Sequence, residues 1–331
     1  MITKPKIVCI GGGTGTFVTL RGLKNYPCSI SAVVTMSDSG GSNRRIRDEF
    51  GLLPTSDIRQ CLVALSEENG GVGLLRKLFM YRFEKGEGLC GMTFGNLFMA
   101  ALTDILGSQE EAIKQTGKVL RIHGNIIPVS FTNTQLCARY ENDQYVSGEH
   151  LIDEPSHDGK LKIINIYLKP KAIANPEAVK AIDEAQLIVL GPGDLYTSLI
   201  PNLLVNGIIN SLKRSKAKIV YIMNLMTKYG QTYNFKASDH IQILENYTGK
   251  SIDYIIMSNS SIRKSILDVY AKYKEYPVID DLSKPSYYKV IRADITSRIT
   301  YEKSKADVLS RSLVRHDSRK LADIIFSLLK K

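Results

Sequence analysis

The run Lys6-Ile7-Val8-Cys9-Ile10-Gly11-Gly12-Gly13-Thr14-Gly15-Thr16 sets a short apolar strand before a glycine turn, and that turn before an amphipathic helix over 17–23. Glycines let the backbone turn tightly and bring its N–H groups against a phosphate at a helix N-terminus. This arrangement reads as phosphate or nucleotide binding beside the first strand of a doubly wound sheet. Thr16 stands where the third glycine of G-x-G-x-x-G belongs, which argues against a nicotinamide or flavin. A tight strand–helix turn with no ligand is the alternative.

Working outward, 331 residues with 44% hydrophobic and 23% charged side chains suit a substantial α/β core. No apolar run is long enough to cross a bilayer, so no membrane span is expected. The chain opens straight into its first strand without an export signal, and the expected location is cytoplasmic. Cys9, Cys28, Cys61, Cys90 and Cys137 are scattered, odd in number and without a C-x-x-C pair. Reduced thiols follow from that pattern, and no metal site does.

The net charge is +11, from 44 basic and 33 acidic side chains. The stretch 262–331 alone holds 16 basic and 9 acidic residues, and so +7 of the total. These basic residues are spread singly among apolar and acidic ones, with no nucleic-acid motif. A solvated basic face, or a field that attracts an anionic metabolite, follows better than a nucleic-acid partner.

Short Val/Ile-rich runs at 6–10, 31–36, 187–190, 218–223 and 254–257 read as buried parallel strands. Helical patterns lie between them at 57–65, 73–83, 109–122, 176–185, 239–247 and 319–329. This alternation predicts an α/β, Rossmann-like doubly wound fold with a mainly parallel sheet. No linker divides the chain, so 1–331 reads as one domain. Extended segments at 126–132, 136–140 and 162–167 predict a small antiparallel insert at about 126–168. The stretch 285–300 is extended, with no assigned place.

Ligands of open α/β sheets bind beyond the carboxyl ends of the strands, and four loops fall there. Ser37-Asp38-Ser39-Gly40-Gly41-Ser42 leads to Arg44, Arg45 and Arg47: Asp38 could accept from a ribose or hold a hydrated cation, and the arginines could bind phosphate. Gly191-Pro192-Gly193-Asp194-Leu195-Tyr196-Thr197-Ser198 forms a second glycine turn with hydroxyls at a helix start. Asn224 and Thr227 in Asn224-Leu-Met-Thr-Lys228 could read a base or sugar edge. Asn96, before the apolar run 97–106, could cap that helix or donate to a ligand. The five histidines show no H-x-x-x-H spacing, and there is no nucleophile elbow or Walker lysine. No general base can be named.

Taken in order, these loops resemble the gluconeogenesis factor family (YvcK-like proteins), itself related to the 2-phospho-L-lactate transferases of deazaflavin cofactor synthesis. The likeness spans 7 to about 329. It rests on Gly11-Gly-Gly-Thr-Gly15, Asp38-Ser-Gly-Gly-Ser42, Arg47-Asp-Glu49, Asp57-Ile-Arg-Gln-Cys-Leu-Val-Ala-Leu-Ser66, Gly95-Asn96, Gly191-Pro-Gly193, Tyr196-Thr-Ser198, Pro201-Asn-Leu-Leu204, Asn224-Leu-Met-Thr227 and Val314-Arg-His-Asp317. The resemblance implies a nucleotide-sugar-binding regulatory protein of the UDP-N-acetylglucosamine type, tied to cell shape and envelope growth on gluconeogenic carbon sources. Arg315 and Tyr270 match family positions implicated in that binding, with Tyr273 close enough to confuse the register. Ser318 stands where relatives can carry a phosphorylatable threonine.

The chain departs from the family pattern at Ser39, where a second acidic residue is usual, and at Met92, where histidine is common. Arg44 and Ser56 stand where glycine is common. These departures favour binding over catalysis. The expected ligand set is therefore Gly11, Gly12, Gly13, Thr14, Gly15, Asp38, Asn96, Gly191, Gly193, Thr197, Ser198, Asn224, Thr227, Tyr270 and Arg315. In it the two glycine turns hold a diphosphate, Asp38 and Asn224 orient ribose or base, and Arg315 closes over the phosphates. Binding needs no cofactor in this reading, whereas a transferase of the phospho-lactate type would use magnesium. A sensor would act through a regulatory protein partner that the residues do not name, and a homo-oligomer is compatible with it.

Overall fold

The computed structural model describes residues 4–282, 287–299 and 312–330. The apolar run before the first glycines becomes β1 (Lys6–Gly11), followed by α1 (Gly13–Leu23) and β2 (Ser29–Val34). Four helices follow, α2 (Gly41–Phe50), α3 (Ser56–Leu65), α4 (Gly70–Met80) and α5 (Phe94–Leu106), and then α6 (Gln109–Val119) leads into β3 (Asn125–Pro128). The insert comprises β4 (Gln135–Tyr140), β5 (Tyr145–Ser147), the short α7 (Glu149–Asp153) and β6 (Ile163–Lys169). The chain returns through α8 (Pro176–Asp183) to β7 (Leu187–Leu190), a π-helical turn at Leu195–Leu199, α9 (Ile200–Leu203), α10 (Ile208–Arg214) and β8 (Lys218–Ile222). It ends with α11 (Ala237–Thr248), β9 (Tyr254–Ser258), α12 (Lys264–Lys272), β10 (Lys289–Ala293) and α13 (Ser318–Ser327).

Seven strands form one sheet in the order β10-β9-β8-β7-β1-β2-β3, and every pairing within it is parallel. From β1 the chain builds outward through β2 to β3, crosses back to β7 and builds the other way. The strand order therefore reverses between β1 and β7, the position where such sheets open a crevice at their carboxyl edge. Both faces are covered, as the near-continuous apolar strands require. Val8, Ile10, Ile188, Leu190, Ile219 and Tyr221 face one core, shared with the insert, α8, α10 and α11. Ile7, Cys9, Val189, Val220 and Ile222 face the other, under α1, α3 and α13. Each such aliphatic side chain contributes roughly 1.5–3 kcal/mol on burial. No helix among the described residues is long and apolar enough to cross a membrane.

The α/β expectation holds, with corrections of detail. The segment at 126–132 does not open the insert: Ile126 and Ile127 lie in β3, paired parallel with Ala32 and Val33 of β2. Both side chains are buried, which is the mark of a covered parallel strand and not of a half-exposed antiparallel one. The three-stranded antiparallel sheet, β5-β4-β6, begins instead at Gln135. The arginine-rich loop after β2 is helical from Gly41. That helix buries only Ser42, Asn43 and Ile46 and is supported by the exposed i,i+4 pairs Arg44–Asp48 and Arg45–Glu49, so it carries almost no apolar period. Of the extended stretch 285–300, Lys289–Ala293 forms the edge strand β10, while Pro285, Ser286 and Thr300 lie outside the described residues.

Candidate functional site

The crevice at the strand reversal is a cleft of about 230 Å³. Its first wall is the turn after β1. Gly12 is extended, Gly13 adopts φ +63°, and α1 starts with no side-chain cap and no acidic residue in its first turn. The opening N–H groups of an α-helix have no partner within the helix, so this end offers donors and a positive dipole to the cleft. Gly15 lies flat against the second turn: a methyl on it would stand 2.0 Å from the Pro192 carbonyl oxygen.

The second turn leaves β7 with Gly191 at φ +75°. The Gly193 carbonyl accepts from the Asn224 amide at 3.0 Å, and the Asp194 carbonyl accepts from the N–H groups of Ser198 (2.9 Å) and Leu199 (3.1 Å). Asn202 stitches the two turns together, donating to the carbonyls of Gly11 at 3.3 Å and Ser198 at 2.8 Å. Thr197 and Ser198 line the cleft, with the Thr197 hydroxyl accepting from the buried Gln231 amide at 3.1 Å.

Asp38 lines the cleft after β2, where its two oxygens accept from Gly40 N–H (2.8 Å) and the Asn43 amide (2.6 Å). Its neighbour Ser39 clamps the insert: Ser39 N–H donates to Glu149 Oε2 at 3.2 Å, and its hydroxyl accepts from His150 N–H at 3.0 Å. Glu149, His150 and Asp153 of α7 thereby reach the cleft. On the far side, the Tyr221 hydroxyl lies 3.4 Å from Asn224 Oδ1 and 3.1 Å from His240 Nδ1. The Thr227 hydroxyl accepts from Tyr276 N–H at 3.0 Å. Tyr270 is buried, and its hydroxyl accepts from the N–H groups of Leu313 (2.9 Å) and Val314 (3.2 Å). That bond carries a ribbon, Ser297 N–H to Arg315 carbonyl and Asp317 N–H to Ile295 carbonyl, which delivers Arg315 and His316 to the cleft.

Twelve of the fifteen expected residues therefore meet in this cleft: Gly12, Gly13, Thr14, Gly15, Asp38, Gly193, Thr197, Ser198, Asn224, Thr227, Tyr270 and Arg315. Gly11 and Gly191 lie at the strand ends behind the lining. Asn96 lies elsewhere. It is fully buried, accepts from Arg59 Nε at 3.0 Å and donates to the hydroxyls of Ser42 (3.0 Å) and Ser56 (3.1 Å), tying α2, α3 and α5 together. Met92 is also buried, against Ile46 and Ala100, and lines no part of the cleft.

Sequence reasoning missed much of the cleft's charge. Asp57, Glu149, Asp153, Asp194 and Glu275 join Asp38, facing Lys228 and Arg315. Burial, then the charges of Asp38 and Asp153, push the Glu149 carboxyl well up. Burial and Asp153 raise Asp194 to about 6; burial raises Glu275 to about 7 against the opposing pull of Lys228. For Lys228, burial disfavours the charge, but Asp153, Asp194 and Glu275 outweigh it and hold the ammonium protonated, 3.6 Å from Asp153. Burial lowers His316 to about 4, so its ring is neutral. Lys228 directly follows the Asn224–Thr227 loop and Asp194 sits inside the second turn, so both carried a positional signal. Glu149 and Asp153 carried none, because only the docking of the insert brings them in.

Magnesium takes near-octahedral oxygen ligands at roughly 2.1 Å. Both oxygens of Asp38 already accept from the protein's own donors, and no group of three His, Cys, Asp or Glu among the described residues is placed to hold a metal ion. A larger cavity, about 710 Å³, opens at the opposite edge of the sheet. On its lining Lys6 pairs with Glu184 and Lys114 with Glu177.

Residues 7–296 match the protein family described as 2-phospho-L-lactate transferase CofD. The chain is 40% identical over 332 residues to the gluconeogenesis factor of Bacillus subtilis, covering 99% of each protein. It is 44% identical over 284 residues to the gluconeogenesis factor of Halalkalibacterium halodurans, covering 85% of this chain and 86% of that one. An X-ray structure of a Bacillus halodurans protein superposes with a TM-score of 0.88 at 38% identity, covering 98% of this chain and all of that one.

Proposed function

Because this chain belongs to the gluconeogenesis factor family, within the wider CofD family, we propose that it is a cytoplasmic regulatory protein that binds a nucleotide sugar of the UDP-N-acetylglucosamine type. Its role, on this reading, is in cell shape and envelope growth on gluconeogenic carbon sources. The observation that carries the proposal is convergence. A glycine turn with an uncapped helix start, an arginine, a buried tyrosine and a ring of carboxylates all face one cleft at the sheet's reversal point.

The chemistry divides along the cleft. The α1 N-terminus and Arg315 suit the diphosphate, through N–H donors and a guanidinium. The ring of Tyr270 suits uracil or sugar by its face, since its hydroxyl already serves the 313–314 backbone. Asp38 and the remaining carboxylates suit hydroxyl groups as acceptors. Glu149, Asp194 and Glu275 hold protons more tightly than ordinary carboxylates, which lowers the repulsion a diphosphate would meet.

Calorimetric titration with UDP-N-acetylglucosamine, with and without magnesium, tests the reading when the recovered ligand is then analysed by mass spectrometry. Saturable binding of intact ligand is expected. Arg315→Ala should weaken it at least tenfold without lowering the melting temperature. Unchanged affinity would remove Arg315 from the site, and no binding by the unaltered chain would overturn the ligand. The second reading, a magnesium-dependent transferase, draws on the family match over 7–296. Magnesium-dependent cleavage or transfer in the same experiment would replace sensing with catalysis.

A further inference from the structure

Beside the cleft, at the carboxyl ends of β9 and β10, lies a separate cavity of about 360 Å³. The ribbon at 313–317 is the partition: Leu313 and Val314 line both spaces, while Arg315 and His316 line only the first. The second space mixes aliphatic side chains with polar ones, and arginines supply its cations. Arg263 and Arg298 stand on its wall, together with Asn259, Ser261 and Ser297. Among the described residues neither arginine has an ion-pair partner.

Among the described residues the one carboxylate on this wall, Asp294, is already committed. It pairs with Lys320 Nζ at 2.7 Å and accepts from the Ser260 hydroxyl, and those contacts hold its carboxyl below the usual range. Ser258, Ser260 and Thr296 form a closed hydroxyl network behind it, Ser258 to Ser260 at 2.9 Å and Ser258 to Thr296 at 2.8 Å. This network fixes the floor, and Arg298 adds its field to the hold on Asp294, so the wall carries two guanidinium groups against one carboxylate that Lys320 already pairs. Helix α12 begins at the same wall with no acidic residue in its first turn, so its dipole adds to their field.

We propose that this cavity is a second ligand site, distinct from the nucleotide-sugar cleft, that takes a small phosphate monoester between Arg263 and Arg298. Guanidinium groups bind phosphate oxygens by paired, charge-assisted N–H bonds, and the neighbouring serine and asparagine side chains suit the hydroxyls of a polyol carrier. The chain thus presents two anion-accepting spaces at one sheet edge, separated by a ribbon that the Tyr270 hydroxyl holds in place.

Calorimetric titration of the full chain with glucose 6-phosphate, and separately with inorganic phosphate, tests the proposal with and without saturating UDP-N-acetylglucosamine. One saturable site is expected, still present when the nucleotide sugar is bound. The double variant Arg263→Ala/Arg298→Ala should weaken it at least tenfold. Both side chains are exposed, so its melting temperature should match that of the unaltered chain. Arg263→Lys/Arg298→Lys should recover part of the affinity, because a point charge remains without the planar fork. Absence of saturable binding, full displacement by the nucleotide sugar, or unchanged affinity in the double variant would each overturn the site. If UDP-N-acetylglucosamine fails to bind while phosphate binding still depends on the two arginines, the nucleotide-sugar reading falls and this one stands.

Discussion

The turn at 11–15 and the turn at 191–193 leave adjacent strands and press against each other, yet they show the cleft different groups. After the first, α1 begins with no side-chain cap and no acidic residue in its first turn, and the Asp57 carboxylate lies against Gly12. After the second, carbonyls are the groups in use: Gly193 accepts from Asn224, and Asp194 accepts from Ser198 and Leu199 as the chain winds through a π-helical turn. Asp194 also adds a carboxylate to the lining. A glycine turn at a strand end is an anion cradle only where its amides are left unclaimed. The proposed diphosphate therefore goes to the first turn, whose helix start is uncapped, and the second is the rigid wall beside it.

The sharpest way to break this comparison is Gly15→Ala. The new methyl would meet the Pro192 carbonyl oxygen, a backbone atom with little room to yield. Overpacking of this kind costs about 1–3 kcal/mol. A lowered melting temperature and loss of nucleotide-sugar binding are expected together. An unchanged melting curve would show that the turns do not touch.

Asn224→Ala acts on the second turn alone. It removes the bond to Gly193 and leaves the Tyr221 hydroxyl with one partner fewer. A loss of about 1 kcal/mol in thermal or denaturant unfolding is expected, with affinity falling only severalfold. Asn224→Asp should not restore stability, because it lacks the donor. If Asn224→Ala instead abolished binding and left stability untouched, the residue would be a ligand contact and the wall reading would fail.

The smallest expected effect on binding is that of pH. Glu275, at about 7, and Asp194, at about 6, bind protons more tightly folded than unfolded. Their stabilising contribution is present in full below the ordinary carboxylate range, near 4, and is lost as pH rises through 6 to 7. The melting temperature of the free protein should therefore fall between pH 5 and 8. Affinity for a diphosphate should fall a fewfold over the same interval as Asp194 and Glu275 gain charge beside Asp153, with Lys228 opposing. Glu275→Gln should flatten both curves, and profiles that stay as steep would assign the titration elsewhere.

Much of the scaffold was legible. The runs at 187–190, 218–223 and 254–257 became β7, β8 and β9 because a strand covered on both faces must be apolar throughout. Among what escaped were short helices, such as α9 and α10, and elements that bury little. Helix α12 buries only Tyr270, and the edge strand β10 has exposed and half-buried residues but no buried one. The glycine turns, Asp38, Tyr270 and Arg315, expected from loop position and likeness to relatives, lie around one cleft. Asn96 lies away from that cleft, and its position before an apolar helix says nothing of the Arg59 guanidinium across from it.

The order of apolar runs and glycines by itself determined the doubly wound class and the strand ends where a ligand would sit, since periodicity and backbone freedom are local properties. Only the tertiary structure decided which N–H groups stay open, which carboxylates crowd the cleft and how strongly they hold protons. Those outcomes depend on docking the insert through Ser39, bringing Glu149 and Asp153 beside Asp38, and folding the 313–317 ribbon back over Tyr270. Such contacts join residues more than forty positions apart. Their energies come from burial and from charges that become neighbours only once the chain has closed on itself.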